Sequence, residues 1–192
     1  MAIPFRKTPK AADVGIAAYL DVVVHAGGAN RVLLGALLLM DGRGQPLEFV
    51  HNTLSAPGGF LWPDARVNAL GIAALGHSLF DACRREPDLL LCLPTLGQPR
   101  ILHAELAPSI PFALIPEGAE NLETWIWINA PPSAGMRAHA LCEELCCRGL
   151  VREPFDRLRK GLREVYGEWF GAGEAEPGSK RIHARISADP SR

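Results

Sequence analysis

The run Asp88-Leu89-Leu90-Leu91-Cys92-Leu93 has no polar position after its first residue. It is short for a helix and apolar on both of the faces that a strand presents. A strand of that kind belongs in the middle of a sheet, away from water on either side. The segments before it supply its neighbours. Residues 17–25 are largely apolar and β-branched, hold one acid, Asp21, and read as a strand ended by Gly27-Gly28. Residues 32–40 form a second apolar run, and Asp41-Gly42-Arg43-Gly44 is a strong hairpin signal that returns residues 46–54 as an antiparallel third strand. After the loop Ser55-Ala56-Pro57-Gly58-Gly59, the apolar positions Val67, Leu70, Ala74, Leu75, Leu79 and Cys83 recur at helical spacing, with Asp64 as N-cap. The predicted order is therefore β-β-β-α-β, an α/β domain with a mixed sheet.

The later half predicts a short helix over 101–107, strands over 110–115 and 124–129, and helices over 133–148 and 154–170, divided by Gly149 and the Glu153-Pro154 start signal. The last helix carries Phe155, Leu158, Leu162, Val165 and Trp169 on one stripe and Arg157, Arg159, Lys160 and Arg163 on the other. A chain of 192 residues, 48% of them hydrophobic, closes one substantial core. The division expected is an N-terminal arm over 1–13, an α/β core over 14–130, helices over 131–170 packed on that core, and a disordered tail over 171–192.

Charge and cysteine usage narrow the chemistry. A formal net charge of −1 gives no global attraction to nucleic acid or an anionic membrane, so such binding needs a local patch. The longest apolar run, at 32–40, is far below the roughly 20 residues of a membrane span, and no apolar leader follows the first residues. A cytoplasmic protein with no membrane partner is expected. The five cysteines, Cys83, Cys92, Cys142, Cys146 and Cys147, form no C-x-x-C pair and fit a reducing compartment. His139, Cys142 and Cys146 share a helical face and are the atom types zinc takes, but no second ligand pair stands elsewhere, and small buried hydrophobes is the preferred reading. No nucleophile elbow surrounds Ser55, Ser78 or Ser109, and Gly27-Gly28 lacks phosphate-loop spacing.

The β-β-β-α-β order is the opening of the RNase H-like fold. Within it, Pro57-Gly58-Gly59-Phe60-Leu61-Trp62-Pro63-Asp64, Glu86-Pro87-Asp88-Leu89-Leu90-Leu91, Pro99-Arg100-Ile101-Leu102-His103-Ala104 and Ile110-Pro111-Phe112-Ala113-Leu114-Ile115 follow one another with a spacing that resembles endonuclease V. The resemblance implies an RNase H-like mixed sheet with C-terminal helices, and carboxylates on the first strand, near the first helix and at the end of the central strand. Such carboxylates hold magnesium or manganese, which lower the pKa of the attacking water and stabilise the phosphate being cleaved. Carried over by position, Asp21 is the first acid and Asp64 the second, as catalytic and metal-binding candidates. The third position falls on Leu93, followed by Pro94.

A hydrocarbon at one of three ligand positions weakens a metal site severely. The expectation is therefore a degenerate nuclease-like domain without cofactor, acting as a nucleic-acid- or protein-binding subunit, with Arg157, Arg159, Lys160 and Arg163 touching nucleic acid. Two alternatives stand beside it. One is a magnesium- or manganese-dependent endonuclease in which Asp21 and Asp64 are completed by another acid, such as Asp81 or Glu105. The other is a structural subunit that meets a protein partner, or a second copy of itself, through the apolar stripe and the tail. Asp64 as a helix cap, and the basic face as a salt-bridged surface interrupted by Glu153, Asp156, Glu164 and Glu168, are the competing structural readings.

Overall fold

The computed structural model describes residues 14–27, 30–57, 64–96, 99–106 and 109–170. The N-terminal arm, Gly28, Gly59, Trp62 and the tail with Lys180, Arg181 and Arg185 lie outside the described residues. Strands β1 (Ile16–Gly27), β2 (Asn30–Asp41) and β3 (Pro46–Pro57) form an antiparallel meander. Helix α1 (Asp64–Ala82) leads to β4 (Leu89–Cys92), which lies parallel to β1. A 3₁₀ turn at Pro94–Leu96 precedes helix α2 (Pro99–Leu106), and β5 (Phe112–Leu114) and β6 (Ile126–Trp127) follow. Helices α3 (Arg137–Cys147), α4 (Glu153–Val165) and α5 (Gly167–Phe170) complete the order. The six-stranded sheet runs β3-β2-β1-β4-β5-β6, so β4 is interior, as its apolar run requires.

Alternation along β1 assigns its two faces. Ala18, Leu20 and Val22 join Leu90, Cys92 and the apolar side of α1 and α2, including Leu75, Leu79 and Leu102. Ala17 and Tyr19 join Leu89, Leu91, Leu93 and the apolar sides of α3 and α4, including Leu141, Leu145, Phe155, Leu158 and Leu162. Two glycines set how closely the helices approach. A Cβ on Gly35 would stand 2.6 Å from Leu75 Cδ2, and one on Gly161 would stand 2.8 Å from Phe49 Cζ. No helix among the described residues is long and apolar enough to cross a membrane.

Several boundaries depart from expectation for local reasons. The first three strands each reach 12 residues because the pairing continues past the apolar stretch to Gly27 opposite Asn30 and Asn30 opposite Pro57. The helix expected over 133–148 begins only at Arg137, after a turn in which Gly135 takes φ +87. The last helix is two: Tyr166 leaves the helical conformation at φ −118, ψ 34, and α5 starts at Gly167. The strand expected over 124–129 shortens to Ile126–Trp127 because a 3₁₀ turn occupies Leu122–Thr124. Beyond it the Asn129 side chain continues the pairing, accepting the Phe112 N–H at 2.8 Å and donating to the Ile110 carbonyl at 2.8 Å.

Candidate functional site

Asp21 is the one buried charged residue among those described. It sits on the same face of β1 as Tyr19, under α4, with its side chain 3% exposed. A carboxylate so placed needs a cation or several donors to offset its lost hydration. Arg159 of α4 supplies the cation: its Nε donates to Asp21 Oδ2 at 2.6 Å. The Val22 N–H donates to Oδ1 at 3.0 Å. Arg159 itself remains 40% exposed, so the pair is dry at one end and wet at the other. Below it Tyr19 donates to the Leu150 carbonyl at 2.6 Å and meets Phe155 edge to face, with ring centroids 5.3 Å apart. Burial, then the nearby Cys142, pushes the Tyr19 hydroxyl far above its ordinary range, so it acts as a fixed donor and not as an acid.

The neighbouring strand bears on what this pocket can hold. The β1–β4 register pairs Leu20 with Cys92; one step further sets Leu93, 3% exposed, beside Asp21 on the same face. A hard divalent cation takes six or more oxygens, several of them carboxylate. Here the one carboxylate already carries a guanidinium, and its neighbour is hydrocarbon. The described side chains around Asp21 do not fit such a cation. Asp64 is the first residue of α1, and its side chain is outside the described residues. Asp81 and Glu105 stand on α1 and α2, the helices of the opposite face, and cannot complete the Asp21 pocket. Among the described residues no group of three or more His, Cys, Asp or Glu is placed to hold a metal.

The four basic candidates of α4 separate by role. Arg157 holds Glu153 at 2.6 Å through Nε and the Gly44 carbonyl at 3.1 Å through Nη1, which ties the helix to the β2–β3 turn. Arg159 holds Asp21. Lys160 and Arg163 are exposed. Further along, Tyr166 shares a 2.9 Å hydrogen bond with His51, and His25 packs against Trp169 and Phe170 of α5. Phe155, Leu158 and Leu162 are buried, whereas Val165 and Trp169 at the end of the same stripe are 46% and 39% exposed. His139 pairs with Glu143, and the five cysteines are free. Burial first, then Cys146, pushes the Cys142 thiol up to about 12, and burial raises Cys92 and Cys146 as well. The sequence reading missed the Asp21–Arg159 partnership, although a lone acid in an apolar strand is itself a signal that a cation must come from elsewhere.

No family model matches the chain, and no curated protein matches it in sequence. Solved structures do match in shape. The endonuclease V of Streptomyces avermitilis is 14% identical with a TM-score of 0.51, and the match covers 80% of this chain and 83% of that one. The endonuclease V of Bacillus subtilis, also 14% identical, gives 0.43 over 53% of this chain, which spans only 44% of that protein. The ribonuclease H2 of Pyrococcus horikoshii OT3 is 12% identical at 0.35, covering 84% and 82%. The fold assignment rests on the Streptomyces avermitilis protein and on the strand order: this chain carries an RNase H-like mixed sheet with a β-β-β-α-β start.

Proposed function

We propose that this chain is a nuclease-like domain that binds nucleic acid without cutting it, working as a subunit whose catalytic partner, where cleavage is needed, is another protein. The observation that carries the reading is the Arg159–Asp21 pair beside Leu93. A guanidinium neutralises the first-strand carboxylate from within the chain, so that face keeps its shape with no bound ion. Guanidinium groups suit phosphate as well as carboxylate, and α4 brings further cations to the same side of the sheet. The nucleic-acid assignment draws on the likeness in fold to endonuclease V; the loss of cleavage draws on this chain's own residues.

The test is an assay of magnesium- or manganese-dependent cleavage of labelled single- and double-stranded DNA and RNA, with binding recorded on the same samples and Asp21→Ala run alongside. Binding without cleavage is expected. Metal-dependent cleavage that disappears in Asp21→Ala overturns the proposal in favour of an endonuclease whose remaining ligands lie outside the described residues. Neither binding nor cleavage favours a purely protein-binding subunit.

A further inference from the structure

We infer that Arg159 and Arg163 of α4 form a phosphodiester-binding pair on the Asp21 face of the sheet, so that a nucleic-acid backbone is gripped there. The inference rests on the nucleic-acid reading above and adds a place and a chemistry to it. Its starting point is that the four cations of α4 are not equivalent. Arg157 spends both ends of its guanidinium on Glu153 and the Gly44 carbonyl. Arg159 gives Asp21 only its Nε–H. A guanidinium has five N–H donors, so Arg159, on a side chain 40% exposed, has its four Nη–H donors left over for a ligand once Nε is held by Asp21.

Arg163 lies four residues on from Arg159, which puts the two on one side of the helix with Cβ atoms about 5–6 Å apart. Arg163 and Lys160 are exposed, and among the described residues neither holds a hydrogen bond or ion pair. The nearest acids along the helix are Asp156, one turn before Arg159, and Glu164, which follows Arg163. Between them Arg159, Lys160 and Arg163 place three cations in five positions; Asp21 offsets the charge of Arg159, so Lys160 and Arg163 supply the net positive charge of this surface on a chain of net charge −1. The two non-bridging oxygens of a phosphodiester can accept from both guanidinium groups, one from each.

Asp21 is a positioning residue in this arrangement. By holding Nε it fixes the plane of the Arg159 guanidinium before any ligand arrives, which removes much of the side-chain entropy that binding otherwise costs. It also accounts for the buried acid: the carboxylate orients the arginine that faces phosphate.

The full chain is titrated against labelled single-stranded DNA, single-stranded RNA and duplex DNA by fluorescence anisotropy across a salt series. Arg163→Glu, Arg159→Lys and, as a distant control, Arg85→Glu are compared, with thermal unfolding of each. Arg163→Glu is expected to weaken binding about tenfold or more, and Arg159→Lys about fivefold, since lysine keeps the charge on Asp21 but loses the planar fork. Arg163→Glu should also lower the slope of log K against log salt by about 1 or more, the signature of a lost phosphate contact, whereas Arg159→Lys, which keeps a cation there, should leave the slope nearly unchanged. Arg85→Glu should leave affinity within about twofold. Wild-type binding that survives both α4 substitutions overturns the inference and leaves the broader reading standing. A wild type that binds none of the three probes overturns both.

Discussion

Removing the arginine from the Asp21–Arg159 pair should hurt far more than removing the aspartate, because one end is dry and the other wet. Arg159→Ala leaves a carboxylate, 3% exposed, with the Val22 N–H as its remaining donor among the described residues. Breaking a buried pair in this way costs about 3–5 kcal/mol, and the low end, about 3, applies where water can approach from the arginine side. Asp21→Ala instead frees a guanidinium that is already 40% exposed and can hydrate, so its cost is closer to about 1 kcal/mol. For a chain of 192 residues, at about 2–4 °C per kcal/mol, Arg159→Ala should lower Tm by about 6–12 °C and Asp21→Ala by about 2–4 °C. The double variant Asp21→Leu/Arg159→Met, which replaces the pair by apolar groups, should return to within about 1 kcal/mol of wild type. Urea unfolding of the four proteins gives these differences, and the Asp21→Ala/Arg159→Ala double variant closes the cycle that yields the coupling energy. An Arg159→Ala cost below about 1 kcal/mol, or a double variant no better than Arg159→Ala, would show that the carboxylate is not buried against this arginine.

Two further outcomes follow from the core. Cys142, pushed up to about 12 by burial and by Cys146, and Tyr19, raised further still, both keep their protons longer in the folded chain than in the unfolded one. Between the unfolded thiol value near 9 and the folded one the native state binds more protons, so stability is full below about pH 8 and falls as pH rises beyond about 9. Urea midpoints through that range check it, and a flat profile to about pH 10.5 refutes it. Gly35→Ala should cost about 1–3 kcal/mol because its Cβ would stand 2.6 Å from Leu75 Cδ2 inside a packed layer. Gly161→Ala should cost less, since the atom it meets is the ring end of Phe49, which is 37% exposed and can swing aside; equal costs measured by denaturation would contradict this distinction.

The parts of the fold that were legible in the sequence are those governed by local pattern. The Asp41–Gly44 turn could be read because a short polar loop between apolar runs has few alternatives; in the structure Asp41 Oδ1 accepts the Arg43 and Gln45 N–H groups at 2.9 and 2.8 Å. The interior place of β4 followed from five apolar residues with no polar face. What could not be read depended on distant partners. Nothing in the spacing of 124–129 announces that Asn129 replaces strand pairing with its side chain. Nor does the local spacing announce the hydrogen bond between Tyr166, where α4 ends, and His51 on β3. The candidate site divides the same way. Asp21 stood out as an acid in an apolar strand, whereas the choice of Arg159 over Arg157 or Arg163 depends on how α4 is rotated on the sheet. The signal was present in part: Arg159 is four residues after buried Phe155 and borders the stripe that packs.

The Asp21–Arg159 contact joins positions 138 residues apart. In a chain made from its N-terminus, the three-strand meander and β4 exist well before the helix that neutralises Asp21. Through that interval the sheet shows a largely oily surface with one negative charge set into it. Any apolar segment that settles there early must either bury that charge alone, at several kcal/mol, or leave the face unsealed. A shift of α4 by one residue turns the arginine through about 100° and slides it about 1.5 Å, far enough to leave the carboxylate unanswered. Asp21 therefore works as a lock with a single key: the last large joint of the domain closes in one register, and wrong closures stay open.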